Sequence, residues 1–150
     1  MPTSGTGDTD VAHWPDPLRV RASADNGNVR HLRRRLTTWL TGDHLDEDVV
    51  DDLVMAASEA LENCCDHAYL DREAGVMTLC ARIVDDALVI TIADDGVWQA
   101  PPADPGGRGR GLGMMRALAD DVDVRAGPDG TLVALTRHVD RPVSPSGSSR

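Results

Sequence analysis

The spacing of apolar residues in the first third of the chain predicts two helices. The first begins near Asn26 or Asn28, either of which would serve as its N-cap, and runs through Leu40 to a stop at Gly42. Its apolar residues recur every three or four positions and so share one stripe: Val29, Leu32, Leu36 and Leu40. The second helix is predicted from about Asp46 to about His67, with acidic residues in its first turn. Its buried face is expected to comprise Val49, Leu53, Ala56, Ala57 and Ala60.

Runs rich in β-branched residues predict strands paired in hairpins. Val76–Val84 and Ala87–Ala93 are joined tightly at Asp85 and Asp86, and Val122–Ala126 and Thr131–His138 flank a turn at 127–130. A short first strand is expected over Arg19–Ala24, and a short helix from about Gly111 to Asp120. Hairpins with segregated helices predict an α/β two-layer sandwich, in which a mixed, mostly antiparallel sheet carries its helices on one face.

The remaining segments have the composition of irregular chain. Residues 1–16 are rich in Gly, Thr, Asp and Pro and residues 141–150 in Pro, Ser and Gly, so we expect two disordered ends around one domain at 17–140. Residues 99–107 combine prolines and glycines and are expected to form a mobile lid. No apolar run approaches the roughly 20 residues of a membrane span and no signal peptide is recognisable, so a cytoplasmic location without membrane contact is expected.

The charged residues exclude several functions. The formal net charge of −10 argues against direct binding of nucleic acid or anionic membranes. All fifteen basic residues are arginine, and without lysine neither a Walker A loop nor a eukaryotic-type protein kinase site can be built. Any bound phosphate must therefore be held in another way.

Three short stretches nevertheless predict a magnesium–nucleotide pocket when they are taken together. Glu59 and Asn63 are four residues apart on the long helix and therefore share a face. Asp94 ends an apolar run and precedes Gly96, so an acceptor-only side chain lies where backbone can approach a flat ring such as adenine. The glycines at 109, 111 and 113 open a helix, whose N-terminal N–H groups can bind phosphate.

Each stretch also has an ordinary structural explanation. Glu and Asn are common on solvated helix faces, Asp-Gly pairs often end strands in turns, and an isolated GxGxG is often only a flexible connection. Cys64, Cys65 and Cys80 contain no CxxC spacing and are read as reduced, small apolar residues, although one of them remains a candidate redox-sensitive thiol. The pocket hypothesis depends on the order of the three stretches along the chain.

That order resembles the Bergerat ATP-binding fold of gyrase, histidine kinases and mismatch-repair ATPases. Within it, residues 57–68, ASEALENCCDHA, are similar to the anti-sigma-factor serine kinases of bacteria, and the resemblance covers roughly residues 17–138. It implies an ATP- and Mg²⁺-dependent serine/threonine kinase that sequesters a sigma factor and phosphorylates a STAS-type anti-anti-sigma protein. A homodimer, which relatives form, is left open by the sequence.

The resemblance also implies roles for individual residues. Glu59 would be the general base, Asn63 the magnesium ligand, and Asp94 the acceptor for the adenine amine with Gly96 beside it. Gly109, Gly111, Leu112 and Gly113 would surround the phosphates, and Arg108 or Arg110 would add positive charge. Thr131 after Gly130 matches the last motif, although it is equally explained as a strand residue after a turn. His67 is interpreted as a structural residue.

The sequence departs from the family pattern in two places, and these departures leave a second function open. Trp98 replaces the second glycine of the broader DxGxG pattern, and the lid is short. The alternative is a non-catalytic module whose pocket senses nucleotide or is vestigial. A two-component histidine kinase is disfavoured, because too few residues precede the pocket and His31 lacks the usual acidic neighbour.

The charge distribution adds a candidate partner surface. Arg30, Arg33 and Arg34 crowd the first helix, whereas residues 43–52 are strongly acidic. We expect these arginines to contact a sigma factor or its antagonist; the alternatives are pairing with the acidic stretch and simple solvation.

Overall fold

The computed structural model describes residues 16–42, 45–68, 75–95, 111–127 and 130–139. These residues form three helices and five strands. The helices are α1 (Asn26–Thr41), α2 (Glu47–Ala68) and α3 (Gly111–Leu118). The strands are β1 (Leu18–Ser23), β2 (Val76–Val84), β3 (Ala87–Asp94), β4 (Asp121–Gly127) and β5 (Gly130–His138). All of these elements were predicted from the sequence, with ends that differ by one or two residues.

The five strands make one sheet in the order β1-β2-β3-β5-β4. All four pairings are antiparallel, and the predicted hairpins β2–β3 and β4–β5 are both present. The two hairpins are joined by pairing of β3 with β5, which sets Asp94 opposite Thr131. The predicted α/β two-layer sandwich is confirmed, except that the sheet, expected to be mixed and mostly antiparallel, is antiparallel at every described pairing.

The core lies between the helices and one face of the sheet. Alternate residues of each central strand are buried, as expected for a sheet covered on one side, and α1 and α2 contribute their apolar stripes. The largest fully buried side chains are Leu32, Leu36, Leu40, Leu53, Leu61, Met77, Leu79, Leu88, Ile90, Ile92, Met115 and Leu135.

The start of α1 corrects one prediction. The N-cap is Asp25, not Asn26 or Asn28: its backbone is extended, and its Oδ1 accepts the N–H of Asn28 at 2.9 Å. Asn28 lies inside the first turn and donates from Nδ2 to the Ser23 carbonyl at 2.9 Å, which fastens the helix to the end of β1. The predicted stop at Gly42 is confirmed.

Other boundaries differ in smaller ways. On α2, Val49 is only half-buried, whereas Leu53, Ala56, Ala57 and Ala60 are buried as predicted. The third helix ends at Leu118 rather than near Asp120. The predicted lid at 99–107 and the tail at 141–150 lie outside the described residues, as do the first fifteen residues. None of the described helices is long and apolar enough to cross a membrane.

Candidate nucleotide-binding site

A narrow cavity lies between α2, α3 and the inner face of the sheet. It is lined by Ala60, Asn63, Cys64, Ile92, Asp94, Leu112, Met115, Val124, Thr131 and Val133. Four of these were predicted as nucleotide contacts from separate parts of the sequence: Asn63, Asp94, Leu112 and Thr131. The cavity volume is about 30 Å³, room for roughly two waters, so a purine base would have to widen it.

Asp94 is held at the end of β3 by the residue that follows it. The Asp95 side chain accepts the N–H of Val76 at 2.9 Å, and the Asp95 N–H donates to the Val76 carbonyl at 3.3 Å. These two bonds fasten the end of β3 to the start of β2. They fix the backbone from which the Asp94 carboxyl reaches the cavity.

Gly130 brings the start of β5 very close to the backbone of Asp94 at the end of β3. Its φ of +145° lies in a region that side chains rarely adopt, and a Cβ at this position would overlap the backbone oxygen of Asp94. Only glycine therefore allows β5 to begin here, directly before Thr131. The Gly-Thr pair noted in the sequence has a steric reason in the fold.

Asn63 contributes a polar atom that no other described residue satisfies. Its Oδ1 is buried and has no hydrogen-bond partner in the part of the chain that the structure describes. A buried acceptor without a donor costs about 1–3 kcal/mol, so its retention requires an explanation. Because Asn63 lines the cavity, a ligand or a ligand-bound cation in the cavity would supply the missing partner.

The short helix α3 forms one side of the cavity through Leu112 and Met115. Gly113, in its first turn, has nothing within 4 Å of where a Cβ would lie, so no contact with a described residue requires a glycine there. The first N–H groups of any helix lack partners inside it and are directed at whatever lies before it. The first turn of α3 can thus donate to an anion.

Cys64, which follows Asn63 on α2, is 4% exposed and donates its thiol hydrogen to Asp94. Burial, and then the nearby negative charge of Asp94, raises the pKa of the Cys64 thiol far above its usual range. The thiol therefore stays protonated. Sequence reasoning assigned the three cysteines no role in the pocket, because a single Cys in a helix gives no signal for such a contact.

Glu59 lies outside this cavity. It lines a neighbouring groove of about 560 Å³ between α1, α2 and α3, together with Arg33, Thr37, Val50, Asp51, Val54, Met55, Ser58, Glu62 and Met114. Two of the lining side chains are large, apolar and exposed, Met55 at 53% and Met114 at 38%. The structure thus places Glu59 and Asn63 one helical turn apart, in adjacent spaces.

Other predicted site residues are placed differently. Gly113 is exposed on α3 and does not line the cavity, and Gly111 begins that helix. Gly96, Arg108, Gly109 and Arg110 lie outside the described residues. The apolar walls, formed by Ala60, Ile92, Met115, Val124 and Val133, were not predicted as site residues, because apolar side chains in helices and strands are ordinarily core residues.

Comparison with known families agrees with this geometry. The family model described as "Histidine kinase-like ATPase domain" matches residues 22–137, which is most of the chain. The chain belongs to the histidine kinase-like ATPase family. The match includes every described residue that lines the cavity.

Relatives of this ATPase place it more narrowly. It is 31% identical over 102 residues to a protein of Caldanaerobacter subterraneus named anti-sigma F factor, a match that spans 60% of this chain and 71% of that protein. It is 30% identical over 105 residues to serine-protein kinase RsbW of Oceanobacillus iheyensis, across 60% of this chain and 66% of that one. The predicted resemblance to the anti-sigma-factor serine kinases is confirmed, and so, at the level of the family, is the enzyme class of protein serine/threonine kinase.

Solved structures agree with the sequence relatives. The crystal structure of the RsbU and RsbW domains of a Mycobacterium tuberculosis protein superposes on this ATPase with a TM-score of 0.70 at 27% identity, covering 87% of this chain. The match spans 34% of that longer chain. The histidine kinase domain of the blue-light activated kinase of Erythrobacter litoralis gives a TM-score of 0.53 at 26% identity, over 61% of this chain and 45% of that one.

Proposed function

We propose that this protein is an ATP-dependent anti-sigma factor that phosphorylates a serine or threonine of a STAS-type anti-anti-sigma protein. The observation that carries the proposal is the convergence of Asn63, Asp94, Leu112 and Thr131 on one cavity beside the groove that contains Glu59. Nucleotide and protein substrate would thereby enter from different sides of α3. The names of the relatives, anti-sigma F factor and serine-protein kinase, support the same activity.

The base of ATP would occupy the cavity against its apolar walls. Asp94 accepts hydrogen bonds and cannot donate when ionised, so it suits the exocyclic amine of adenine. Thr131, on the neighbouring strand opposite Asp94, supplies a hydroxyl to the same cavity. A purine needs the cavity to widen, and α3 is the short element that lines one side of it.

Asn63 fits a role in holding Mg²⁺ on the phosphates. An amide oxygen is a ligand that Mg²⁺ accepts, and the Oδ1 of Asn63 is buried without a partner within 16–42, 45–68, 75–95, 111–127 and 130–139. The ion would supply positive charge to the transferring phosphoryl group. The first turn of α3, with Gly111 and Gly113, would donate backbone N–H groups to the same phosphates.

The groove would receive the acceptor hydroxyl. Glu59 is half-buried there, one turn from Asn63, and is placed to take the proton of a serine or threonine hydroxyl. The exposed Met55 and Met114 offer an adaptable apolar contact for a protein surface. The remaining lining residues are polar or charged except for Val50 and Val54.

Partner binding would use the arginine side of α1. Arg30, Arg33 and Arg34 are exposed and spaced so that they share a face, and Arg33 lines the groove. We assign this surface to the sigma factor or its antagonist. Because both partners act on transcription, we place the protein in the bacterial cytoplasm, where a homodimer would present two such surfaces.

The competing function is a non-catalytic module that senses nucleotide or has a vestigial pocket. The small volume of the cavity, about 30 Å³, is the observation that favours it. In that case Glu59 would have no role in phosphoryl transfer. Substitution of Glu59 would then leave regulation of the partner intact.

Substitution of Glu59 separates the two functions. A general base accelerates transfer more than it strengthens binding, so we expect Glu59→Gln to lower phosphoryl transfer by roughly a hundredfold or more while ATP affinity changes less than about twofold. The assay is transfer from γ-labelled ATP to the STAS-domain proteins of the source genome, with ATP affinity measured by calorimetry.

Glu62→Gln is the matched control, since Glu62 lines the same groove one turn further along α2. It removes the same charge and should retain most of the transfer activity. If the two variants lost equal amounts of transfer activity, Glu59 would contribute only negative charge to the groove and would not act as a general base. Absence of transfer by the unmutated protein to an antagonist that it binds would favour the non-catalytic module.

A further inference from the structure

The pocket contains a donor that the proposed function does not use. Cys64 is buried, lines the cavity, and directs its thiol hydrogen at the carboxylate of Asp94. It lies immediately after Asn63, which lines the same cavity and whose buried Oδ1 has no partner among the residues that the structure describes. Cys65, equally buried, does not line the cavity.

We propose that Cys64 is a positioning residue that fixes the carboxylate of Asp94 for the exocyclic amine of adenine, and so sets the preference for ATP over purine nucleotides that lack this amine. The inference rests on the proposed nucleotide site and adds to it a determinant of specificity. No covalent step is involved.

The hydrogen-bonding pattern gives the reason. An ionised carboxylate has several lone-pair sites, and a donor that occupies one of them restricts the rotation of the group. Cys64 and Asp94 line the same cavity, and in the hydrogen bond between them the thiol is the donor, because an ionised carboxylate has no hydrogen to give. With that position filled, the remaining sites of Asp94 accept from the ligand, and a base with a carbonyl in place of the amine meets an acceptor instead of a donor.

Calorimetry with MgATP and MgITP tests this role, since inosine carries a carbonyl where adenosine carries the amine. We expect the unmutated protein to favour ATP. In Cys64→Ala, ATP affinity should fall about three- to tenfold, the value of about one net hydrogen bond, while ITP affinity stays the same. Cys64→Ser restores an O–H donor and should recover the preference.

Cys65→Ala is the matched control, because it removes a neighbouring buried thiol from the same helix without touching the cavity. It should leave both affinities unchanged. An equal loss of ATP and ITP affinity in Cys64→Ala would mean that Cys64 only fills space, and an unmutated protein without preference for ATP would also overturn the inference. Failure of the unmutated protein to bind either nucleotide would overturn the proposed function and the inference with it.

Infrared spectroscopy tests the contact without any nucleotide. The S–H stretch of Cys64 is assigned by its loss in Cys64→Ala, and in Asp94→Asn it should move to higher frequency, because a neutral amide is a weaker acceptor than a carboxylate. A Cys64 band that does not move in Asp94→Asn would show that the contact is absent. That result would overturn the inference and leave the proposed nucleotide site standing.

Discussion

A single buried oxygen, Oδ1 of Asn63, distinguishes the candidate site from the ordinary core. The core around it is apolar and well packed, and an acceptor without a donor there is unfavourable for folding alone. Asp94, by contrast, accepts a hydrogen bond from the Cys64 thiol. Its neighbour Asp95 is held by a hydrogen bond from the backbone N–H of Val76. The cavity therefore combines an anchored carboxylate with a buried oxygen that has no partner among the described residues.

Substitution of Asn63 should affect ATP binding without lowering the stability of the fold. We expect Asn63→Ala to weaken ATP binding in the presence of Mg²⁺ by about tenfold or more, the value of an interaction with a charged group, while affinity measured with EDTA changes little. The free energy of unfolding should be unchanged or slightly higher, because the unsatisfied oxygen is gone. Calorimetry and urea unfolding measure the two effects.

Asn63→Asp is the conservative comparison, because it retains an oxygen ligand for Mg²⁺. It should keep the magnesium dependence. If Asn63→Ala retained a full response to Mg²⁺, the ion would have to be held by other groups.

Gly130 supports the site by steric means. Gly130→Ala places a Cβ against the backbone of Asp94 and forces an unfavourable φ, so we expect a loss of stability of about 1–3 kcal/mol together with weaker ATP binding. Gly127→Ala is the matched control at the other side of the same turn, since nothing lies within 4 Å of its added Cβ. Urea unfolding of the two variants tests this, and equal stability would contradict the steric explanation.

Among the elements, α3 has the largest influence on the site. It separates the cavity, lined by Leu112 and Met115, from the groove, lined by Met114. Its C-terminal end is fastened by Arg137, which donates to the Leu118 carbonyl at 2.8 Å and pairs with Asp52 of α2 at 3.5 Å. These contacts anchor the C-terminal end of α3 to β5 and α2.

Gly113 should show opposite effects on folding and on binding. An alanine there meets open space and favours the helix, so Gly113→Ala should raise stability by up to about 1 kcal/mol. If phosphates approach the backbone at this position, the same methyl group should lower ATP affinity. Thermal unfolding and calorimetry measure the two changes, and unchanged ATP affinity would remove Gly113 from the phosphate site.

At the scale of the whole molecule, the arginine stripe of α1 stands out against the net charge of −10. Among the described residues, no ion pair joins Arg30, Arg33 or Arg34 to the acidic residues near the start of α2. The acidic stretch at 43–52 also includes Asp43, which lies outside the described residues, so pairing with that stretch and solvation both stay alternatives to a partner surface. Three exposed like charges along one face suit an acidic partner.

Reversal of that stripe should change association kinetics. In the triple variant Arg30→Glu, Arg33→Glu, Arg34→Glu, we expect the association rate with the sigma factor or antagonist to fall at least tenfold and to lose its dependence on salt, while ATP affinity is retained. Surface plasmon resonance at several salt concentrations provides the measurement.

A second triple variant controls for net charge. Arg19, Arg21 and Arg82 are exposed on β1 and β2, and their reversal to Glu changes the charge by the same amount elsewhere. This variant should associate nearly as fast as the unmutated protein. Equal slowing of the two variants would assign the effect to overall charge rather than to α1.

The sequence by itself determined the elements and the fold class, and it named residues that the fold brings to one cavity. Periodicity identifies helices and strands because burial of one face is a local consequence of side-chain spacing, as the stripe from Val29 to Leu40 shows. The Asn63, Asp94 and Thr131 hypotheses came from motif order, and all three residues line one cavity. The N-cap could not be chosen the same way, because Asp25, Asn26 and Asn28 are all suitable and only the backbone geometry at Asp25 decides.

Only the tertiary structure decided which of these residues meet. Pairing of β3 with β5, far apart in sequence, sets Asp94 opposite Thr131, and the close approach at Gly130 depends on that pairing. The packing of α3 against α2 places Glu59 in a groove and Asn63 in a cavity, and burial beside Asp94 gives Cys64 its contact. These contacts depend on distances between elements, which local residue preferences do not encode.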